Sequence, residues 1–177
     1  MIVLLGCGRK LAGPDVITLD ADARLQPDVI CRLGVDALPF PDDSVDQAVA
    51  IHVLEHIGRQ GETAEWFQFW EELYRVLKAD GTPLFESPLY SSVWAWADPT
   101  HVRALSPQAL AYMSQNSYRL AGSSISPYRI RCDFEPLRAY EGLRDRSPDV
   151  AAVEARSHFR GVLQAKKPLR PWWEDER

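Results

Sequence analysis

Ile2 to Asp20 reads IVLLGCGRKLAGPDVITLD. Ile2 to Leu5 is a continuous apolar run, the pattern of a strand buried on both faces. It stops at Gly6-Cys7-Gly8, a tight turn. Asp15 to Leu19 is a second short strand, and it ends at Asp20. Only nine residues lie between Leu5 and Asp15. A parallel crossover normally takes about a dozen residues or more, usually with a helix. The spacing therefore predicts a first crossover reduced to a loop. Eight residues separate Leu19 from Asp28, where a third strand (Asp28 to Cys31) begins. The second crossover is predicted to be short in the same way, and no helix precedes the first strand.

Beyond this stretch the elements alternate. Val45 to Ile51 reads as a fourth strand, entered through the turn cluster Pro41-Asp42-Asp43-Ser44. Trp66, Phe69, Trp70, Leu73 and Leu77 recur at helical spacing and predict one long amphipathic helix. Gly81 is placed to cap its end. Thr82 to Ser87 reads as a fifth strand, stopped by Pro88. Ser106-Pro107 is a helix start, cap then first-turn proline, leading into Gln108 to Asn116. Tyr128 to Phe134 and Phe159 to Ala165 read as two late strands, with a short helix around Asp149 to Arg156 between them. Residues from about 168 to 177, including Pro171-Trp172-Trp173-Glu174-Asp175-Glu176, read as an irregular tail. Short apolar strands with helices between several of them predict an α/β fold with a mostly parallel sheet, one domain over residues 1–177.

The chain has 177 residues, 46% apolar and 25% charged. That is the balance of one soluble globular domain, long enough to bury a core without staples. Cys7, Cys31 and Cys132 are odd in number and widely spaced, which argues against a disulfide framework and against any CxxC motif. No apolar run approaches the ~18 residues of a membrane span. Met1 to Leu5 lacks the basic region of a signal peptide. The expected location is a reducing cytoplasm, with no membrane partner. The net charge of −5 argues against a general nucleic-acid binder. Charge is uneven: Met1–Tyr118 carries 8 basic and 16 acidic residues, Arg119–Arg177 12 and 9. The basic end suits either an anionic acceptor or plain solvated surface.

Ligands of open α/β sheets bind beyond the carboxyl ends of the strands. There stand Gly6-Cys7-Gly8 after the first strand, Asp20 after the second and His52-Val53-Leu54-Glu55-His56 after the fourth. Glycines let a ligand approach the backbone closely. An acid after the second strand suits the two hydroxyls of a ribose. In this order and spacing, the stretch from Leu5 to Pro88 resembles a class I S-adenosylmethionine-dependent methyltransferase. LLGCG resembles that family's first motif, and TLD the strand ending in its ribose-binding acid. ALPFPDDSVDQAVAIHVLEHI and ELYRVLKADGTPLFESP are similar to its two later segments. DPTHVRALSPQAL resembles a histidine-bearing loop and helix in one group of these proteins, and HFRGVLQAKKP its last strand.

The resemblance implies a Rossmann-like seven-stranded sheet, mostly parallel, with the last strand antiparallel. It implies S-adenosylmethionine as cofactor and S-adenosylhomocysteine as product. Gly6, Cys7 and Gly8 would pass the methionine part, Asp20 would hold the ribose, and Asp36 or Leu38 would stand near the adenine. His52 would line the cofactor and acceptor pocket. No metal is required. If the acceptor is a hydroxyl or amine, a histidine base near neutral pKa helps. His101 and His52 are the candidates, with Asp98 as orienter. A loop-anchoring role for His101 is the competing reading. A small molecule or sugar is the favoured acceptor, nucleic acid less so.

Other readings of the same residues exist. HVLEH is also H-x-x-E-H, the helical zinc motif of some hydrolases, with His52 and His56 as ligands and Glu55 as base. A nicotinamide dehydrogenase would need a third glycine where Leu11 stands, and its acid about 20 residues on; here 12 positions separate Gly8 from Asp20. Glu55 and His56 read first as ties between the loop and its neighbours. Trp66, Phe69 and Trp70 suit the core, while Trp94 and Trp96 suit either pocket lining or packing. A non-catalytic cofactor-binding or assembly module is the second functional class. Missing helices leave one sheet face in need of cover, by the tail or by a second subunit in a homodimer.

Overall fold

The computed structural model describes residues 1–8, 13–121, 125–142 and 158–174. Its centre is a seven-stranded sheet in the order β3-β2-β1-β4-β5-β7-β6. The strands are β1 (Ile2–Leu5), β2 (Val16–Asp20), β3 (Val29–Ile30), β4 (Val45–Ile51), β5 (Leu77–Pro88), β6 (Phe134–Gly142) and β7 (His158–Ala165). β1 pairs in parallel with β2 and β4, β2 with β3, and β4 with β5. β7 runs antiparallel between β5 and β6. The α/β, mostly parallel sheet expected from the sequence is thus the observed one.

Handedness decides which face each connection covers. The step from β1 to β2 runs across the sheet in the opposite direction to the step from β4 to β5. Right-handed crossovers then lie on opposite faces. The β4-to-β5 crossover is α1 (Ala64–Val76). Its Trp66, Phe69, Trp70 and Leu73 form one core with Val3, Leu5, Ala48, Ala50 and Phe85. Alternate residues Ile2, Leu4, Val49 and Leu84 point to the other face and are only half-buried. That face belongs to the first two crossovers. Among the described residues these contain one 3-10 turn, Ala23–Leu25, and no α-helix.

Three boundaries differ from the sequence reading. α1 ends at Val76 and β5 starts at once at Leu77, so Gly81 does not cap the helix. Instead the β4–β5 register jumps from Val45↔Leu77 to Gln47↔Thr82. Lys78 to Gly81 bulge out of the strand, and Asp80 takes the positive φ of 63°. Tyr128 to Cys132 is not strand. Its carbonyls at Ile130 and Cys132 accept hydrogen bonds from the buried Gln115 amide at 2.9 and 2.7 Å. The strand β6 begins at Phe134 instead, at the sheet edge, where Pro136 is tolerated. The helix expected from Ser106 is a 3-10 stretch, Pro107–Met113, followed by α3 (Gln115–Ala121). A short α2 (Trp94–Ala97) stands in the loop after β5.

At the C-terminal end, Trp172–Glu174 form a 3-10 turn. The Trp172 ring stacks on Tyr118 at 5.6 Å, and its amide donates to Gln115 Oε1 at 2.9 Å. The short helix expected around Asp149 to Arg156 lies outside the described residues. Among the described residues, no helix is long and apolar enough to cross a membrane.

Candidate functional site

β1 ends in a turn that only glycines fit well. Gly6 and Gly8 have φ of 57° and 54°. A Cβ on Gly6 would lie 2.6 Å from Val53 Cγ2, so this turn presses directly on the loop after β4. A Cβ on Gly8 would meet nothing within 4 Å, so open space lies beside it. The Gly8 amide donates to Asp20 Oδ2 at 3.0 Å, and the Asp22 amide donates to Asp20 Oδ1 at 3.0 Å. The carboxylate of Asp20 is thus aimed by two backbone donors, each oxygen keeping a lone pair for a further partner. Cys7 is buried, and burial together with the Asp20 charge raises its thiol pKa.

Asp36 and Leu38 are placed differently. Asp36 pairs with Arg32 at 3.1 Å and accepts the Arg32 amide at 2.8 Å. These bonds hold its carboxyl below the usual range. The Leu38 amide donates to Glu72 Oε2 at 2.8 Å, and its carbonyl accepts from Arg75 Nη2 at 2.8 Å. Both polar groups of the Leu38 backbone are therefore engaged with α1. Arg75 also bonds the Phe40 carbonyl and Asp42, and so clamps the Leu38-Pro39-Phe40 segment to the helix.

After β4 the chain turns sharply. His52 has φ of 56°, and its amide donates to the Glu86 carbonyl at 2.8 Å. Leu54–His56 is one 3-10 turn, not an α-helix. The helical zinc motif, with His52 and His56 stacked on one helical face, is therefore not formed. Glu55 points inward instead and is 1% exposed. Its carboxylate faces His52 Nδ1 at 3.2 Å, accepts from Ser87 Oγ at 2.8 Å, and lies 4.0 Å from His101 Nε2. Burial works to raise its pKa, but the hydrogen bonds from His52, its own amide and Ser87 outweigh that and leave it lowered. Sequence reasoning treated Glu55 as a loop tie. It is that and more: it joins two of the candidate histidines. The available signal was a carboxylate directly after the apolar pair Val53-Leu54.

His101 comes from the loop after α2. Two backbone bonds clip that loop to the turn after β4: the Val102 and Arg103 amides donate to the Glu55 carbonyl at 2.9 and 3.2 Å. Arg103 extends the clip to the carbonyls of Ile57, Arg59 and Glu62, with its guanidinium over the Trp66 ring. His101 Nδ1 faces the Ala95 carbonyl at 3.3 Å, and its Nε2 lies 3.9 Å from Asp98 Oδ2. That is too long for a hydrogen bond but close enough to orient a charge. Hydrogen bonds from Thr100 keep the Asp98 carboxyl low and ionised. Asp98, His101, Glu55 and His52 thus form one chain of contacts, whereas Asp36 and Leu38 stand apart from it.

An open cavity of about 720 Å³ lies beside this chain, walled by His101, Tyr90, Trp96, Arg103, Gln60 and Tyr112. Trp96 is 70% exposed and lines it, with its indole N–H on the Tyr90 carbonyl. Trp66, Phe69 and Trp70 are buried in the core, and Trp66 also lines a neighbouring cavity of about 240 Å³.

Residues 14–85 match the family model described as a methyltransferase domain. No curated protein matches the chain in sequence. Solved structures match it in fold. A SAM-dependent methyltransferase from Archaeoglobus fulgidus is 17% identical with a TM-score of 0.57, covering 92% of this chain and 85% of its own. An S-adenosylmethionine-dependent methyltransferase from Mesorhizobium loti is 15% identical with a TM-score of 0.60, covering 92% and 89%. A putative methyltransferase in complex with the Trm112 methyltransferase activator, from Haloferax volcanii, is 18% identical with a TM-score of 0.61, covering 96% and 83%. Residues 14–85 thus match a methyltransferase domain, and the chain has the fold of S-adenosylmethionine-dependent methyltransferases.

Proposed function

We propose that the protein transfers the methyl group of S-adenosylmethionine to a hydroxyl or amine of a small molecule or sugar, releasing S-adenosylhomocysteine. The observation that carries this reading is the Gly8 N–H···Asp20 Oδ2 bond of 3.0 Å. It joins the glycine turn of β1 to the acid at the end of β2, the two features a ribose and its aminoacyl chain would need side by side. Gly6, Cys7 and Gly8 pass the methionine part with their backbone, and Asp20 takes the ribose hydroxyls. Asp36 and Leu38 serve at most as the adenine wall, since their polar groups are engaged elsewhere. His52 lines the inner end of the site.

The sulfonium methyl is already activated, so alignment of the acceptor does most of the work. A carbonyl accepts only, so a proton on His101 Nδ1 faces the Ala95 carbonyl and Nε2 keeps a lone pair. That lone pair is the proposed base for the acceptor proton, with Asp98 stabilising the imidazolium formed. The aromatic walls Tyr90, Trp96 and Tyr112, with a few polar groups, suit an organic molecule or sugar ring better than a nucleic-acid backbone. The free, buried cysteines fit a reducing cytoplasm. A homodimer through the face carrying Ile2, Leu4, Val49 and Leu84 belongs to the same reading.

The test is S-adenosylhomocysteine formation from methyl-labelled cofactor with a panel of small hydroxyl and amine acceptors. Wild type should turn over with at least one of them. His101→Gln should lose about 10²–10⁴-fold in rate, the usual contribution of a general base. Unchanged turnover in that variant would remove His101 from the chemistry.

A further inference from the structure

Two members of the HVLEH segment meet a histidine that the segment does not contain. One donor atom each from Glu55, His56 and His101 lies within 4.8 Å of the other two. The His56 and His101 rings stand edge to face, 4.9 Å between centroids. We propose that these three residues bind a divalent transition ion, with zinc the first to test.

The surroundings of the donors are those of a metal site. His56 Nδ1 faces the Thr100 carbonyl at 3.2 Å, and His101 Nδ1 faces the Ala95 carbonyl at 3.3 Å. An oxygen that only accepts fixes the proton on Nδ1 in both rings, so each Nε2 presents a lone pair. Outer-shell carbonyls that fix the tautomer in this way accompany most metal-binding histidines. Glu55 supplies the anionic oxygen and has its own outer shell in Ser87 Oγ and His52 Nδ1. Two imidazoles and one carboxylate suit zinc, iron or nickel, whereas magnesium prefers oxygen donors alone. Open catalytic zinc sites likewise use three protein ligands and leave a position for water or substrate. That position is reachable here, because His56 is exposed and His101 lines the 720 Å³ cavity. Asp98 Oδ2, 3.9 Å from His101 Nε2, is a further oxygen within reach. The donors lie farther apart than ligands bonded to one ion do, so binding draws them together.

This inference goes beyond the proposed function and does not depend on it. In the metal-free protein the His101 lone pair is available as a base; with an ion bound it would serve as a ligand instead.

The experiment is calorimetric titration of chelator-treated protein with Zn²⁺ alone, without cofactor. One ion per chain is expected, with Kd below about 1 µM. His56→Ala and His101→Gln should each weaken binding at least about 100-fold, the upper range for losing even an outer-shell partner. Mg²⁺ should not compete. His56 is exposed, so His56→Ala removes no core contact, and an unchanged unfolding midpoint without metal verifies its fold. Ring resonances of His56 and His101 in wild type should shift at one equivalent of Zn²⁺, a readout that needs no variant. Weaker binding in wild type, binding that survives both substitutions, or unmoved resonances would each overturn the proposal, whatever the outcome for cofactor binding.

Discussion

Gly6→Ala tests the contact on which the glycine turn and the loop after β4 depend. Two independent costs apply. Gly6 has φ of 57°, a left-handed conformation that costs an L side chain roughly 1–2 kcal/mol. Its new Cβ would also sit 2.6 Å from Val53 Cγ2, and Val53 is 6% exposed with little room to retreat. Overpacking of that kind costs about 1–3 kcal/mol. The single variant should therefore lose about 2–5 kcal/mol. The two costs separate in a double-mutant cycle. Val53→Ala removes two buried methyl groups and should cost about 1–3 kcal/mol alone. In the pair the clash is gone while the φ strain stays, so Gly6→Ala should cost only roughly 1–2 kcal/mol on the Val53→Ala background. Urea unfolding of the four proteins measures the coupling, expected at about 1–3 kcal/mol. Costs that add to within about 0.5 kcal/mol would refute the direct contact and leave backbone strain as the sole effect.

Two further substitutions probe the supports of the site. Arg75→Lys keeps the charge but loses the fork that reaches the Leu38 and Phe40 carbonyls at once; denaturant unfolding should show a loss of about 2–3 kcal/mol, with cofactor affinity falling only if the Leu38 segment touches the cofactor. Glu55→Gln should cost about 1.5–3 kcal/mol near neutral pH, from its bonds to His52 and Ser87. Its folded pKa lies below the ordinary 4.5. The stability it contributes is therefore present above that value and lost as pH falls through the lower, folded one. Acid unfolding of Glu55→Gln should accordingly be flatter below about pH 5 than that of wild type, and parallel curves would contradict the lowered pKa.

The parts of the fold visible in the sequence are those set by local burial. Ile2–Leu5, Val16–Leu19 and Val45–Ile51 are largely apolar because central parallel strands are mostly withdrawn from water, and their ends mark Gly6–Gly8, Asp20 and His52 directly. The shortened crossovers were readable as plain residue counts. Elsewhere the deciding partner lay far along the chain. Tyr128, Ile130, Cys132 and Phe134 alternate like a strand, yet the hydrogen bonds of that segment go to the amide of Gln115 rather than to a ladder. Asp80-Gly81 reads like a helix end, but β5 must already pair at Leu77, and the extra residues are expelled as a bulge. His101 could be suspected from its loop. That Glu55 would stand between it and His52 depends on the clip of Val102 and Arg103 to the Glu55 carbonyl, which no local pattern announces.

The central claim is that the glycine turn and Asp20 together hold S-adenosylmethionine. Calorimetric titration of wild type and Asp20→Ala with S-adenosylmethionine and with S-adenosylhomocysteine tests it most directly. Both ligands should bind wild type one to one, and Asp20→Ala, folded to the same unfolding midpoint within a few degrees, should bind neither measurably. Equal affinity in the two proteins would contradict the assignment of Asp20, and no binding to wild type would contradict the cofactor site itself.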